Sequence, residues 1–261
     1  MKIVRYKYQN ETGFGEWRGK EIYKINGDIF GSFQVSTETF SLDQVEVLNP
    51  IDPPNVICIG VNYRKHAEES GHGLPERPVI FIKATTAVIG PEEDIILPAP
   101  APDEVDYEAE LAIIIGKKAK NISREEVDDY ILGYTCANDV SARDCQRRID
   151  KQWARGKSFD TFCPLGPCIE TELDADNCNI KSRLNGKVMQ DSNTSDLIFD
   201  TTELVSYISS NMTLFPGTVI LTGTPEGVGF ARKPAVFLRD GDTIDIEIEG
   251  IGVLRNNVIK E

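Results

Sequence analysis

The sequence predicts a mainly β protein with a few helices at its edges, an α+β chain with no regular α/β alternation. Three observations carry this prediction. Short apolar-alternating segments bounded by Gly, Pro or Asn outnumber helix-period segments by about three to one. No βαβ alternation and no internal repeat runs through the 261 residues. Asn185-Gly186 sits between two strand-like arms in "IKSRLNGKVMQ", and this residue pair suits a two-residue hairpin loop.

Taken in order, "KIVRYKY", "GKEIYKI" and "GDIFGSF" predict short strands of a small N-terminal β-rich domain over residues 1–50. The proline-rich "LNPIDPPNV" favours extended backbone and marks the boundary to a main domain over 51–261. "VICIG" is a short buried strand, and "YRKHAEESGHG" a brief helix ending at glycine. Residues 105–115 predict one continuous strand, and "ILGYTCANDVS" another. "SREEVDDY" and "DTTELVSYISSNM" predict helices opened by Ser123/Glu126 and Asp200/Glu203 at capping-box spacing. Leu204, Ile208 and Met212 share one face of the second helix. "TVILTG", "AVFL", "DTIDIEIEG" and "GVLRNNVI" return the tail to β structure.

A net charge of −14 disfavours nucleic acid and anionic membrane surfaces as partners. No apolar run reaches the ~20 residues of a membrane span, and "MKIVRYKYQN" lacks a signal-peptide core. The six cysteines show no CxxC or CxxH spacing, which fits reduced thiols in a cytoplasmic protein. One segment reverses the acidic trend. Residues 142–157 carry Arg143, Arg147, Arg148, Lys151, Arg155 and Lys157 against Asp144 and Asp150. Such a run is either a solvated helix face or a place where anions are wanted.

The chemistry centres on "EVDYEAELAIIIG" (104–116). Side chains alternate along a strand, so Glu108 and Glu110 point the same way, with Asp106 beyond them. Two like charges on a strand entering the core repel and are costly to bury. A hard divalent cation resolves both problems, and oxygen ligands suit Mg²⁺, Mn²⁺ or Ca²⁺. In a chain with 42 acidic residues, an ExE pair taken by its spacing alone is more simply an acidic solvent face. Asp139 ends an apolar strand where it can converge on the pair, or act as an ordinary turn residue. His66 and Glu69 are i, i+3 neighbours on a helix, either a water-activating dyad or an exposed ion pair.

Together these residues resemble the fumarylacetoacetate hydrolase family over most of 55–258. The likeness runs through "IGVNYRKHAEE", "PVIFIK", "VDYEAELAIIIG", "GYTCANDVSARDCQ", "GKSFDTFCPLGP", "LNGKVMQDSNTSDLIF" and "ILTGTPEGVG". It implies a mixed β-sandwich roll behind a small N-terminal domain, commonly as a homodimer. It implies Glu108, Glu110 and Asp139 as metal ligands, and His66, Glu69 and Lys157 as catalytic residues. Lys83, Arg143, Gln146 and Thr224 are implied at the substrate. The substrates implied are small anionic 2-oxo acids, with Mg²⁺ or Mn²⁺ as cofactor and Ca²⁺ as an alternative. One departure stands out: Val61 follows Gly60 where acylpyruvase-like members carry arginine.

The reaction implied is cleavage of a carbon–carbon bond in acylpyruvate- or fumarylpyruvate-like acids. In it Glu69 orients His66, His66 deprotonates a water, and Lys157 and Thr224 stabilise developing negative charge. Oxaloacetate decarboxylation and hydroxy-dienoate isomerisation need the same electrophilic site and remain open alternatives. A non-catalytic anion- or partner-binding protein that keeps the fold is the reading outside enzymology.

Overall fold

A computed structural model describes residues 1–71 and 73–261, so position 72 in the "YRKHAEESGHG" segment lies outside the described residues. The chain is mainly β with a few short helices, as its sequence predicts. The larger sheet has twelve strands in mixed orientation. Its main path runs Phe33–Ser41, Glu21–Gly27, Glu11–Arg18, Lys2–Tyr8, Cys163–Glu170, Ile131–Asn138, Ala109–Ile115, Val219–Leu221, Val56–Ile59 and Ile80–Lys83. A five-stranded sheet, built from Asn179–Leu184, Lys187–Asn193, Thr243–Ile248, Gly252–Lys260 and Ile95–Leu97, packs over the centre of the first. Lys2–Tyr8 pairs with Cys163–Glu170, so the N-terminal strands extend the main sheet. No helix among the described residues is long and apolar enough to cross a membrane.

The Ala109–Ile115 strand lies at the heart of this sandwich, with every residue buried. Ile131–Asn138 and Val219–Leu221 flank it, both antiparallel. A central strand covered on both faces takes an uninterrupted aliphatic run, and "LAIII" supplies one. The hairpin forms as expected: Leu184 pairs with Lys187, and Asn185 (φ 51°) and Gly186 (φ 78°) take the left-handed conformations its tight turn requires. Asp200 caps the Thr201–Asn211 helix by accepting the Glu203 N–H at 2.8 Å. Leu204 and Ile208 turn its apolar face inward.

Elsewhere the structure departs from the expectations. Residues 105–115 form two strands: Val105–Asp106 pairs with Ser141–Ala142, and Ala109–Ile115 enters the main sheet. Asp106 stands outside the three-acid group of Glu108, Glu110 and Asp139, and its carboxylate accepts N–H groups from Tyr107, Gly229 and Phe230. The segment "GDIFGSF" is the turn between two strands, and Glu11–Arg18 and Phe33–Ser41 are strands beyond the expected set. Gly13 and Gly15 mask the first of these. A Cβ at Gly15 would fall 2.3 Å from Ile22 Cγ2, and one at Gly13 would fall 3.2 Å from the Tyr6 hydroxyl, so glycine here makes room for its neighbours. Arg124–Asp129 is a 3₁₀ turn. "AVFL" joins no strand, although Leu238 is buried and donates its N–H to Val105 O at 2.8 Å. The basic segment folds as a π-helical turn, Cys145–Ile149, followed by the short helix Trp153–Lys157.

Candidate active site

Ala109 stands opposite Asn138 in the sheet, so Glu108 and Glu110 flank one partner of the pair and Asp139 follows the other. The Asp139 N–H donates to Glu108 O at 2.9 Å, which closes the junction. One carboxylate oxygen from each of Glu108, Glu110 and Asp139 lies within 4.8 Å of the others, and all three residues are buried. Cations gather around them. Lys157 Nζ bridges Glu108 Oε2 and Asp139 Oδ2. Lys83 Nζ donates to Asp139 Oδ1 at 2.6 Å, and Arg143 Nη2 lies 2.7 Å from Glu108 Oε1.

Glu110 is the exception, since among the described residues its one hydrogen-bond donor is the Gly223 N–H at 2.7 Å. Burial, then the negative charges of Asp139 and Glu108, push its carboxyl well above the usual range. Burial acts the same way on Glu108, but Lys157 and Arg143 outweigh it and hold that carboxyl low. An under-compensated buried acid beside two others, all oxygen donors, fits a hard divalent cation. Ionised carboxylates keep lone pairs beyond those already accepting from lysine. The residues therefore fit Mg²⁺ or Mn²⁺.

A cavity of about 400 Å³ opens above this floor, lined by His66, Glu108, Glu110, Arg143, Gln146, Lys157 and Thr224 among others. Seven of the ten expected site residues thus share one space, while Glu69, Lys83 and Asp139 stand outside its lining. His66 comes from the Arg64–Ser70 helix, and its Nδ1 lies 3.3 Å from Glu69 Oε2. Glu69 also accepts the Gly227 N–H at 3.0 and 3.1 Å, which ties this helix to the 223–229 loop. Gly227 has φ of 96°, and a Cβ there would fall 2.3 Å from Met189 O, so only glycine presents that N–H without strain. The Phe230 ring stands edge-on to His66, with centroids 6.4 Å apart.

Two placements bear on the expected roles. Lys83 is fully buried behind Asp139, donates also to Val140 O at 3.2 Å and does not line the cavity, so its ammonium meets a carboxylate of the floor. The Thr224 hydroxyl donates its one proton to Ala109 O at 2.9 Å and accepts from Gln190 Nε2 at 2.8 Å. Its one proton is thereby engaged, while the residue still lines the cavity. Gln146 keeps its capacity: its Oε1 accepts from Arg143 Nη1 at 3.0 Å, leaving the amide N–H groups to a ligand.

Sequence reasoning passed over Gln190. Its Oε1 accepts from the Ala109 N–H at 2.9 Å and Ser182 Oγ at 3.0 Å, and its Nε2 donates to Thr224 and to Pro225 O at 2.9 Å. It thereby holds the backbone between Glu108 and Glu110 against the 223–229 loop. The only sequence signal was a buried-strand position next to the Asn185-Gly186 hairpin. Arg147, Lys151, Phe81, Trp153 and Phe230 also line the cavity and were not singled out as individuals.

The family described as "Fumarylacetoacetate (FAA) hydrolase C-terminal" matches residues 55–259, and "Rv2993c-like, N-terminal" matches 1–50. An uncharacterized protein of Methanocaldococcus jannaschii is 52% identical over 82% of this chain and 86% of its own length. Oxaloacetate tautomerase Fahd2a, mitochondrial, of Rattus norvegicus is 48% identical over 83% of this chain and 70% of its own. The crystal structure of 2-hydroxyhepta-2,4-diene-1,7-dioate isomerase from Mycobacterium marinum superposes with a TM-score of 0.90 at 41% identity, covering 100% of this chain and 99% of that one.

Proposed function

The chain belongs to the fumarylacetoacetate hydrolase family, and on that premise we propose that it is a divalent-metal-dependent enzyme moving a proton beside the oxo group of a small 2-oxo acid of the oxaloacetate type. The observation that carries this reading is one imidazole, His66, held by Glu69 in the same cavity as the buried Glu108–Glu110 floor. Glu69 accepts from Nδ1, which leaves the Nε2 lone pair as the proton acceptor. Mg²⁺ or Mn²⁺ at Glu108, Glu110 and Asp139, when bound, supplies Lewis-acid polarisation of the 2-oxo oxygen.

His66 Nε2 takes a proton from the carbon next to the oxo group. The C–H electrons form the carbon–carbon double bond, and the carbonyl π electrons move to oxygen. The imidazolium then returns its proton to that oxygen, giving the enol; the reverse sequence gives the keto acid. Lys157, Arg143 and the Gln146 amide face the charge that develops on oxygen. The names of the rat and mycobacterial relatives both describe relocation of a proton or double bond, and with Val61 in place of arginine the acylpyruvase preference does not simply transfer.

Carbon–carbon hydrolysis of acylpyruvate-like acids is the second reading. A cavity of about 400 Å³ leaves room for a longer chain and a water that His66 would activate. Oxaloacetate, acetylpyruvate and a hydroxy-dienoic acid, each assayed with Mg²⁺ or Mn²⁺ and again with EDTA, separate the two. Metal-dependent keto–enol interconversion of oxaloacetate supports the first reading, and metal-dependent cleavage of acetylpyruvate the second. Activity on none supports an anion-binding protein. A cytoplasmic homodimer with residues 1–50 as its small N-terminal domain completes the proposal.

A further inference from the structure

The basic segment separates into two groups once its partners are known. Arg143 pairs with Asp106 and Glu108, Arg148 with Glu104, Arg155 with Asp150, and Lys157 with Glu108 and Asp139. Asp144 takes the Cys145 N–H at 2.7 Å. Among the described residues, Arg147 and Lys151 are left without a carboxylate, and both line the cavity, exposed at its mouth. An unpaired basic pair is unexpected in a chain of net charge −14. Arg147 is also held in place: its Cζ lies 3.6 Å from the Phe230 ring centroid, with Arg143 Cζ at 4.4 Å from the same ring. Stacking engages the guanidinium face and leaves its in-plane N–H donors for a ligand.

Charge counting says what that ligand carries. Asp106, Glu108, Glu110 and Asp139 set four buried negative charges against the three positive charges of Lys83, Arg143 and Lys157. A divalent cation brings the floor to +1, and the carboxylate of a 2-oxo acid neutralises it. A second carboxylate on the same molecule finds no free cation on the floor, but it finds two at the mouth. We propose that Arg147 and Lys151 form the subsite that takes the second, distal carboxylate of an oxaloacetate-type acid. This rests on the reading that the 2-oxo acid end sits over the Glu108–Glu110–Asp139 floor.

Binding tests the subsite apart from the reaction. Dissociation constants of the Mg²⁺-loaded protein are measured by calorimetry for 2-oxoglutarate and 2-oxopentanoate, five-carbon acids that differ by one carboxylate. The wild type favours 2-oxoglutarate by roughly 10- to 100-fold, the range of charge-assisted hydrogen bonds. That preference falls to less than about threefold in the Arg147→Gln/Lys151→Gln double variant. Arg147→Lys, which keeps the charge and loses the planar fork, retains an intermediate preference. Equal affinity for the two acids in the wild type, no binding of either, or an unchanged preference in the double variant overturns the subsite. A preserved preference without oxaloacetate turnover refutes the proposed reaction and leaves the subsite standing.

Discussion

Asp106 and Glu110 are both buried carboxylates in one short segment, yet their surroundings differ in kind. Asp106 accepts three backbone N–H groups and the Arg143 guanidinium, with Nε at 2.9 Å. Glu110 accepts one backbone N–H and faces two other acids. Burial lifts both carboxyls; Arg143 and the Phe230 N–H restrain Asp106, whereas Asp139 and Glu108 drive Glu110 further up. A buried acid with a full set of donors holds a fold together. One left short of them marks a place where a cation belongs.

Substitutions break this contrast in opposite ways. Glu110→Ala lowers metal-dependent turnover by at least about a thousandfold, measured as kcat/KM at saturating Mg²⁺, because it removes a ligand of the electrophilic site. Asp106→Asn instead destabilises the fold by about 3–5 kcal/mol in denaturant titrations, because it leaves Arg143 buried with half its compensation. Glu110→Gln leaves the metal-free protein at least as stable as the wild type, since burial and the two neighbouring acids already disfavour the ionised form of Glu110. His66→Ala slows proton transfer by about 10²–10⁴-fold while Mg²⁺ affinity is retained. Parallel loss of Mg²⁺ affinity would show that His66 is part of the metal site. Gln190→Leu costs at least about 2 kcal/mol, because the Ala109 N–H and Pro225 O lose their partner in the interior. Smallest of all, the six cysteines are buried with their thiols pushed up by burial, Cys163 and Cys168 to about 12, so DTNB labels them only on unfolding.

The same contrast explains what the sequence made legible. Glu108 and Glu110 stood out because carboxylates in an aliphatic strand break the local pattern, and Asp139 because it ends the neighbouring one. The Asn185-Gly186 turn and the Asp200 cap act through residues a few positions away, so a short window contains them whole. Asp106 and Gln190 could not be read that way. Their partners lie 123 and 81 residues distant, at Gly229 and Ala109, and local spacing holds no record of them. The break at Tyr107–Glu108 follows from those distant donors, which is why residues 105–115 looked like a single strand. The basic segment showed its charge in the sequence, but which cations were neutralised depended on acids as far away as Asp106 and Glu108. Glu11–Arg18 was hidden for a different reason, because its glycines serve the packing of Tyr6 and Ile22 and lower its apparent strand character.

Titration of Mn²⁺ into the metal-free protein, with free ion counted by electron paramagnetic resonance, tests most directly whether Glu108, Glu110 and Asp139 share one cation. The wild type takes up a single Mn²⁺ per chain that Mg²⁺ displaces, and Glu110→Gln, folded by circular dichroism, binds it at least about 100-fold more weakly. Mn²⁺ bound equally well by the glutamine variant, or not bound at all by the wild type, contradicts that claim.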